Sequence, residues 1–432
     1  MALKNVVLVD GARSAFARGG RGKLVATRLD EAGATVLRAL LDRNPKVKDA
    51  MIEDVGIGNV AGRGEFAYLG NVQRLAGLPL EACAFHVNRQ CGSSMEALHR
   101  ITMGIMVGAI ECGVAMGIER MGRGLGLDGG SPSRVTALNP RIAELNAAQR
   151  EMAPDHDKYF SVPFPDYILR SPWLQPMTQT AQNVAEVYGL TRAELDAYAA
   201  ASHNRTDAAF KAGIYKDEIV PLEIEDPVFD DQGNWVEQER GKTVTFDRDE
   251  CIRPGTTAEK LASLPVLKGL ISFGDKELVI TAGNSCPTND GISATILMSE
   301  ERARALGLTP LARIAGFATG GVKPQLMGIG PIVSSKKALA MAGIGAEQID
   351  RVEFNEAFAA QVIPSVRELG IAMERVNVNG GSLAIGHPLG ATGARLVATV
   401  AHELRRSKTR YGLATQCIGA GMGISTVLER LD

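Results

Sequence analysis

Not one CxxC pair occurs in the 432 residues, and the six cysteines (Cys83, Cys91, Cys112, Cys251, Cys286 and Cys417) lie scattered along the chain. That scatter argues against structural zinc and against a compact disulfide framework, so in a reducing compartment most of these thiols are inert core residues. An excess of one charge is missing too. The 47 Lys+Arg nearly balance the 49 Asp+Glu, which leaves nothing for nucleic acid or an anionic membrane to grip beyond a local patch for a phosphorylated ligand. Long apolar runs are absent, as is a charged segment leading into one at the start. The expectation is a soluble, cytoplasmic protein with no nucleic-acid partner and no membrane span.

What is present suggests an α/β layered fold, because short Val- and Ile-rich runs alternate with helical patterns. The chain is long enough for large buried cores and more than one domain. Its two ends share one order of elements. Near the start come a strand (6–9), a helix (28–41), a strand (55–58), a loop with Cys91, a helix (95–107) and a strand (113–118). From Ala312 onward come a strand, a helix (334–342), a strand (352–354), a glycine-rich loop, a helix (393–404) and a strand (413–417). This reads as two duplicated α/β halves related by a pseudo-twofold axis that brings the motif-bearing loops together. The expected division is 1–121 and 261–300 for the first half, 301–432 for the second, and an inserted lid-like stretch over 122–260. Within the insertion, Thr191-Arg192-Ala193-Glu194 is a capping box that opens a helix ending near Gly213. Gly124-x-Gly126-x-x-Gly129 matches a dinucleotide fingerprint on paper, but Ser131-Pro132-Ser133 follows it where a helix is needed.

Three stretches carry candidate chemistry. Cys91, in Asn88-Arg89-Gln90-Cys91-Gly92-Ser93-Ser94-Met95, stands where a loop enters a helix, facing unpaired N–H groups that favour thiolate. His387 sits among glycines and is fixed by Pro388, a setting suited to a base for a thiol. Cys417 ends a strand and runs into Gly419, Gly421 and Gly423, whose amides can face a developing oxyanion; a core cysteine followed by a tight turn reads equally well. Asn355, in Asn355-Glu356-Ala357-Phe358, offers an amide donor after an apolar strand. His86, His99, His156, His203 and His402 lack such settings.

Together these stretches resemble the thiolase family, most of all the degradative 3-ketoacyl-CoA thiolases that form the β-subunit of bacterial fatty-acid oxidation complexes. The likeness runs in family order through Ile252-Arg253-Pro254, Thr281-Ala282-Gly283, Met327-Gly328-x-Gly330-Pro331, Asn355-Glu356-Ala357-Phe358, Gly386-His387-Pro388 and Cys417-Ile418-Gly419. It covers nearly the whole chain apart from a stretch after Gly122. It implies a thiolase-like fold of five layers (αβαβα) and thiolytic cleavage of a 3-ketoacyl-CoA by CoA in β-oxidation-type degradation. In that chemistry His387 takes the proton of Cys91, whose thiolate is acylated, and Cys417 protonates the departing enolate. Asn355, through a held water, and His387 would form one oxyanion site, and the amides of Cys91 and Gly419 the other. Ser285, Cys286 and Met177 fall at positions for substrate or CoA contacts. CoA acts as substrate, no cofactor or metal is implied, and a homodimer or homotetramer is expected, with a multifunctional hydratase/dehydrogenase subunit as a further candidate partner.

Departures from the family pattern shape the expectation. Ala420 replaces a frequent glycine beside the acyl pocket, and Cys286 stands where a CoA-contacting serine is usual. Gln175-Pro176-Met177-Thr178 replaces the His-Met-Gly block of biosynthetic acetoacetyl-CoA thiolases, which favours degradation of larger substrates. Two rivals are a condensing enzyme, of the 3-ketoacyl or hydroxymethylglutaryl-CoA synthase type, and a non-catalytic CoA-binding scaffold. The second cysteine, Cys417, speaks against the first; the presence of all four reacting groups speaks against the second.

Overall fold

The computed structural model describes residues 3–60, 71–122, 156–173 and 175–431. The Gly124 to Gly129 fingerprint and Ser131-Pro132-Ser133 lie outside the described residues. The first part of the chain forms β1 (Val6–Arg13), β2 (Ala17–Arg18), β3 (Asp54–Gly58), β4 (Cys83–Val87) and β5 (Cys112–Arg120). The middle adds a small hairpin of β6 (Leu222–Glu225) and β7 (Thr243–Phe246). The remainder forms β8 (Asn289–Ser299), β9 (Ala312–Gly321), β10 (Arg351–Phe354), β11 (Tyr411–Ile418) and β12 (Met422–Glu429).

The strands other than β6 and β7 make one sheet path, β10-β11-β12-β9-β1-β8-β5-β3-β4, with β2 added on β8. Read outward from its middle, the path repeats itself. β1 pairs antiparallel with β8, β8 antiparallel with β5, and β5 parallel with β3. On the other side β9 pairs antiparallel with β12, β12 antiparallel with β11, and β11 parallel with β10. Even β4, parallel to β3, has a counterpart in the bridge from Val352 to Val376. The duplication expected from element order is therefore present, and the halves join through Val7↔Arg313 and Leu8↔Ala312 of β1 and β9. The sequence reading did not foresee β4, nor that β8 would return between β1 and β5.

Helices Ser93–Met106 and Thr392–Ser407 pack on each other between the two half-sheets. The first buries Met95, Leu98, Ile101 and Ile105; the second buries Leu396, Val397, Val400 and Leu404. Spacings of three and four put each set on one helical stripe, and the two stripes share one core with Ala115, Ala414 and Ile418. At about 1.5–3 kcal/mol per large side chain this is an upper-bound driving force of several kcal/mol for each helix. Helices Leu29–Asp42 and Gly330–Ala342 cover the outer faces, so the layers alternate α, β, α, β, α. Gly393 allows the two central helices to start close together: a Cβ there would stand 2.5 Å from the Met95 amide nitrogen. The capping box at Thr191 is formed and starts helix Arg192–Lys211.

Candidate active site

Cys91 follows β4 through a tight turn. Gln90 adopts φ 47°, a left-handed conformation that costs a side-chain-bearing residue about 1 kcal/mol or more. The turn is held by Gln90 N donating to Asn88 Oδ1 (2.9 Å), and by Ser93 Oγ, which donates to Gln90 O (2.6 Å) and accepts from Arg89 N (3.0 Å). Cys91 thus meets the N-terminus of helix Ser93–Met106 half-buried, with the amides of Gly419 and of Cys91 itself directed at its sulfur. Those amides favour thiolate, but burial outweighs them and pushes the thiol up to about 11. The amides at the helix start favour a thiolate as expected, and burial works against them to keep the proton on Cys91.

The Gly419 amide is placed by the turn between β11 and β12, in which Ile418 pairs with Met422. Ala420 (φ 67°) and Gly421 (φ 81°) are both left-handed. Ala420 is exposed at the tip of this turn, and a Cβ on Gly421 would lie 2.5 Å from Val322 O.

His387 is buried and neutral, its basicity lowered to about 3 by burial and then by Arg395. Its Nδ1 lies 2.6 Å from Thr392 Oγ1 and its Nε2 lies 3.3 Å from Asn355 Nδ2. The Thr392 hydroxyl donates to Pro388 O (2.8 Å), so it accepts from Nδ1–H and leaves the Nε2 lone pair as the acceptor that faces Asn355 Nδ2. The backbone amide of His387 donates to Asn289 Oδ1 (2.9 Å), and Glu119 Oε2 accepts from Gly390 N (2.8 Å) on the same loop.

Cys417 is fully buried; its Sγ donates to Gln361 Oε1 (3.2 Å), and Gln361 Nε2 donates to Asn355 O (2.8 Å). Burial, then the nearby Cys91, drives its pKa far above the ordinary thiol range. Cys286 behaves alike for the same two reasons in the same order, and its amide donates to Ala357 O (2.9 Å). Three thiols therefore converge with one neutral imidazole.

Of the residues singled out from sequence, Cys91, His387, Asn355, Cys417, Gly419 and Cys286 come together here. Ser285 bridges to Phe358 beside them and donates from Oγ to Thr281 O (2.7 Å). Met177 begins helix Met177–Tyr188 with 39% of its surface exposed, and none of the hydrogen bonds described around the thiols involves it. Supporting groups that motif reading passed over are Thr392, Ser382, Arg395 and Gln416, whose Nε2 donates to Cys91 O (2.8 Å) across the two halves. A lone arginine, Arg395, in the otherwise uncharged run from Ala391 to Ala401 was the available signal for them.

Comparison with known proteins points to one family. Residues 6–301 match the family model "Thiolase, N-terminal domain", and residues 308–430 match "Thiolase, C-terminal domain". The chain is 38% identical to a 3-ketoacyl-CoA thiolase of Vibrio vulnificus over 99% of this chain and 100% of that protein. It is 39% identical to an acetyl-CoA acetyltransferase of Pseudomonas aeruginosa, again over 99% of this chain and 100% of that protein. The crystal structure of the Bacillus anthracis acetyl-CoA acetyltransferase superposes with a TM-score of 0.80 at 33% identity, covering 100% of both chains. With both halves matched by family models and full-length relatives at 38–39% identity, this chain belongs to the thiolase family.

Proposed function

We propose that this acyltransferase cleaves a 3-ketoacyl-CoA with free CoA to acetyl-CoA, or another short acyl-CoA, and a shortened acyl-CoA. The direction is degradative, of the β-oxidation kind, and the mechanism is ping-pong through an acyl-Cys91 thioester. The observation that carries the reading is the convergence of a half-buried thiol, a neutral imidazole and a second, fully buried thiol, with the Gly419 amide aimed at the first.

Because Cys91 and His387 rest uncharged, the proton moves to Nε2 as the sulfur attacks the 3-keto carbon, in the manner of a general base. The resulting oxyanion sits at the amides of Cys91 and Gly419. When the C–C bond breaks, the electron pair passes into the enolate of acetyl-CoA, whose oxygen faces Asn355 and His387; such donors are worth about 3–4 kcal/mol each. Cys417 gives its proton to the enolate carbon. In the second half the Cys417 thiolate takes the proton of incoming CoA, the CoA sulfur attacks the acyl thioester, and His387 returns its proton to Cys91. Every proton is accounted for by these residues, so the scheme calls on neither metal nor organic cofactor.

Ser285 and Cys286 are the proposed contacts for CoA or substrate, and Met177 stands at the start of the helix expected to border the acyl group. Among the described residues β4 ends the sheet, which supports assembly as a homodimer or a pair of dimers, since a second copy can extend the sheet there. Cytoplasmic location and a hydratase/dehydrogenase partner remain part of the proposal; no helix among the described residues is long and apolar enough to cross a membrane.

The test is CoA-dependent loss of 3-ketoacyl-CoA enolate absorbance across short, long, branched and aromatic acyl chains. Turnover of one class supports the reaction and identifies the substrate. Absence of turnover on every member, with Cys91 still alkylated by iodoacetamide, favours the synthase or scaffold reading.

A further inference from the structure

Arg395 is fully buried on helix Thr392–Ser407, where a charge is costly unless its donors are used. Its Nη1 donates to Glu353 Oε2 (2.9 Å) and its Nη2 donates to Ser382 Oγ (2.7 Å). Ser382 Oγ in turn lies 2.7 Å from Asn355 Oδ1. Guanidinium has only donors and stays cationic at any ordinary pH, so Ser382 accepts from it and spends its own hydrogen on Asn355. Asn355 must then turn its oxygen to Ser382 and its N–H to His387. A reversed amide would leave the buried Ser382 hydrogen without a partner and set a carbonyl oxygen against the His387 lone pair.

The other end of the chain of hydrogen bonds gives the same polarity independently. The Thr392 hydrogen is committed to Pro388 O, which fixes His387 as the Nδ1–H tautomer with Nε2 as acceptor. Nε2 therefore calls for a donor, and Asn355 Nδ2 at 3.3 Å supplies it.

We propose that Ser382, held by Arg395, is a positioning residue that fixes the amide polarity of Asn355 and keeps its N–H aimed at the enolate oxygen. This rests on the role given to Asn355 under the proposed function. His387 is held separately by Thr392 and Asn289, so Ser382 bears on C–C cleavage and leaves acylation of Cys91 by a simple thioester nearly untouched.

The experiment compares Ser382→Ala, Ser382→Thr and Asn355→Ala in two assays: thiolysis of a 3-ketoacyl-CoA, and exchange of labelled CoA with acyl-CoA, which needs no C–C cleavage. For Ser382→Ala the expected result is a fall of about 10- to 100-fold in kcat for thiolysis, with KM and the exchange rate within about threefold of the parent. Ser382→Thr, which keeps the hydroxyl, should recover thiolysis to within about threefold. Retained exchange also shows that the variant is folded; should Ser382→Ala fail to fold, Ser382→Cys carries the same comparison with a weaker donor. Slow thiolysis by Asn355→Ala beside unchanged thiolysis by Ser382→Ala overturns the positioning role alone. Equal losses in both assays, unrelieved by threonine, overturn it in favour of a scaffold role. Unchanged thiolysis by Asn355→Ala removes the proposed role of Asn355 and this inference with it.

Discussion

Raising the pH from about 7 to about 9 should speed alkylation of Cys91 by iodoacetamide about tenfold per unit, with no plateau in that range. The thiolate is the reacting species, and burial holds the thiol at about 11 despite the pull of the Gly419 and Cys91 amides. At pH 8 such a thiol is ionised to about one part in a thousand, whereas an ordinary cysteine with a pKa of about 8.5 is ionised to about one part in four. Cys91 should therefore react roughly 250-fold more slowly than the cysteine of an unstructured peptide in the same tube, before any correction for access or nucleophilicity. His387, lowered to about 3, supplies no imidazolium to stabilise a thiolate at neutral pH. Timed alkylation followed by mass spectrometry of the Cys91 peptide measures the rate at each pH. Restricted access lowers every point equally and leaves the slope unchanged, so the slope decides. A flat profile from pH 6 to 8, or a rate matching the peptide cysteine at pH 7, would refute the argument and establish a preformed thiolate–imidazolium pair.

Further outcomes follow from single contacts. Cys417→Ala should still be acylated at Cys91 by a simple acyl-CoA while losing C–C cleavage by about 100-fold or more, measured by trapped thioester against enolate loss; full thiolysis would remove Cys417 as the enolate acid. Ala420→Gly should raise unfolding stability by up to about 1 kcal/mol in urea, because it relieves a left-handed alanine at an exposed turn tip against glycine's own entropy cost. Asp249→Asn should cost about 3–5 kcal/mol in the same assay, since Asp249 accepts from both Nη1 (2.7 Å) and Nη2 (2.9 Å) of the buried Arg13. Gly92→Ala should lower thiolysis more than stability, because the added Cβ would lie 2.6 Å from Ile418 Cδ1 and the neighbour most free to move is the Cys91 turn.

The chemistry-bearing loops were legible because their signals are local. A thiol before a helix, a histidine among glycines and a cysteine before a glycine turn each announce themselves within a dozen residues, and the repeated order of elements gave the duplication. What was not legible depends on packing. The helix start at Ser93 suggested a stabilised thiolate at Cys91, yet burial, which depends on long-range packing, outweighs it. Ala420 read as a change beside the acyl pocket, but the structure places it on an exposed turn tip in a conformation glycine would favour. Ser382 and Thr392 carry no local signal of their own; only the direction of their hydrogen bonds shows that they set an amide and a tautomer.

The duplication and the chemistry depend on each other. Cys91 and Cys286 come from the first half, whereas His387, Asn355 and Cys417 come from the second. Even the amides at the Cys91 sulfur are divided, one from the turn after β4 and one from the turn between β11 and β12. Four of the hydrogen bonds that cross the junction involve the same segments: Gln416 Nε2 to Cys91 O (2.8 Å), Ala394 N to Ser94 Oγ (2.9 Å), His387 N to Asn289 Oδ1 (2.9 Å) and Gly390 N to Glu119 Oε2 (2.8 Å). In the proposed mechanism, docking of the halves brings the nucleophile and its base into one site. Burial of neutral groups is the consequence: Cys91, His387 and Cys417 all rest uncharged, and charge develops only when a ketone lies between the amides to receive it. A site assembled this way ties its activity to the junction, so loosening Glu119 or Asn289 should slow catalysis before it measurably weakens either half.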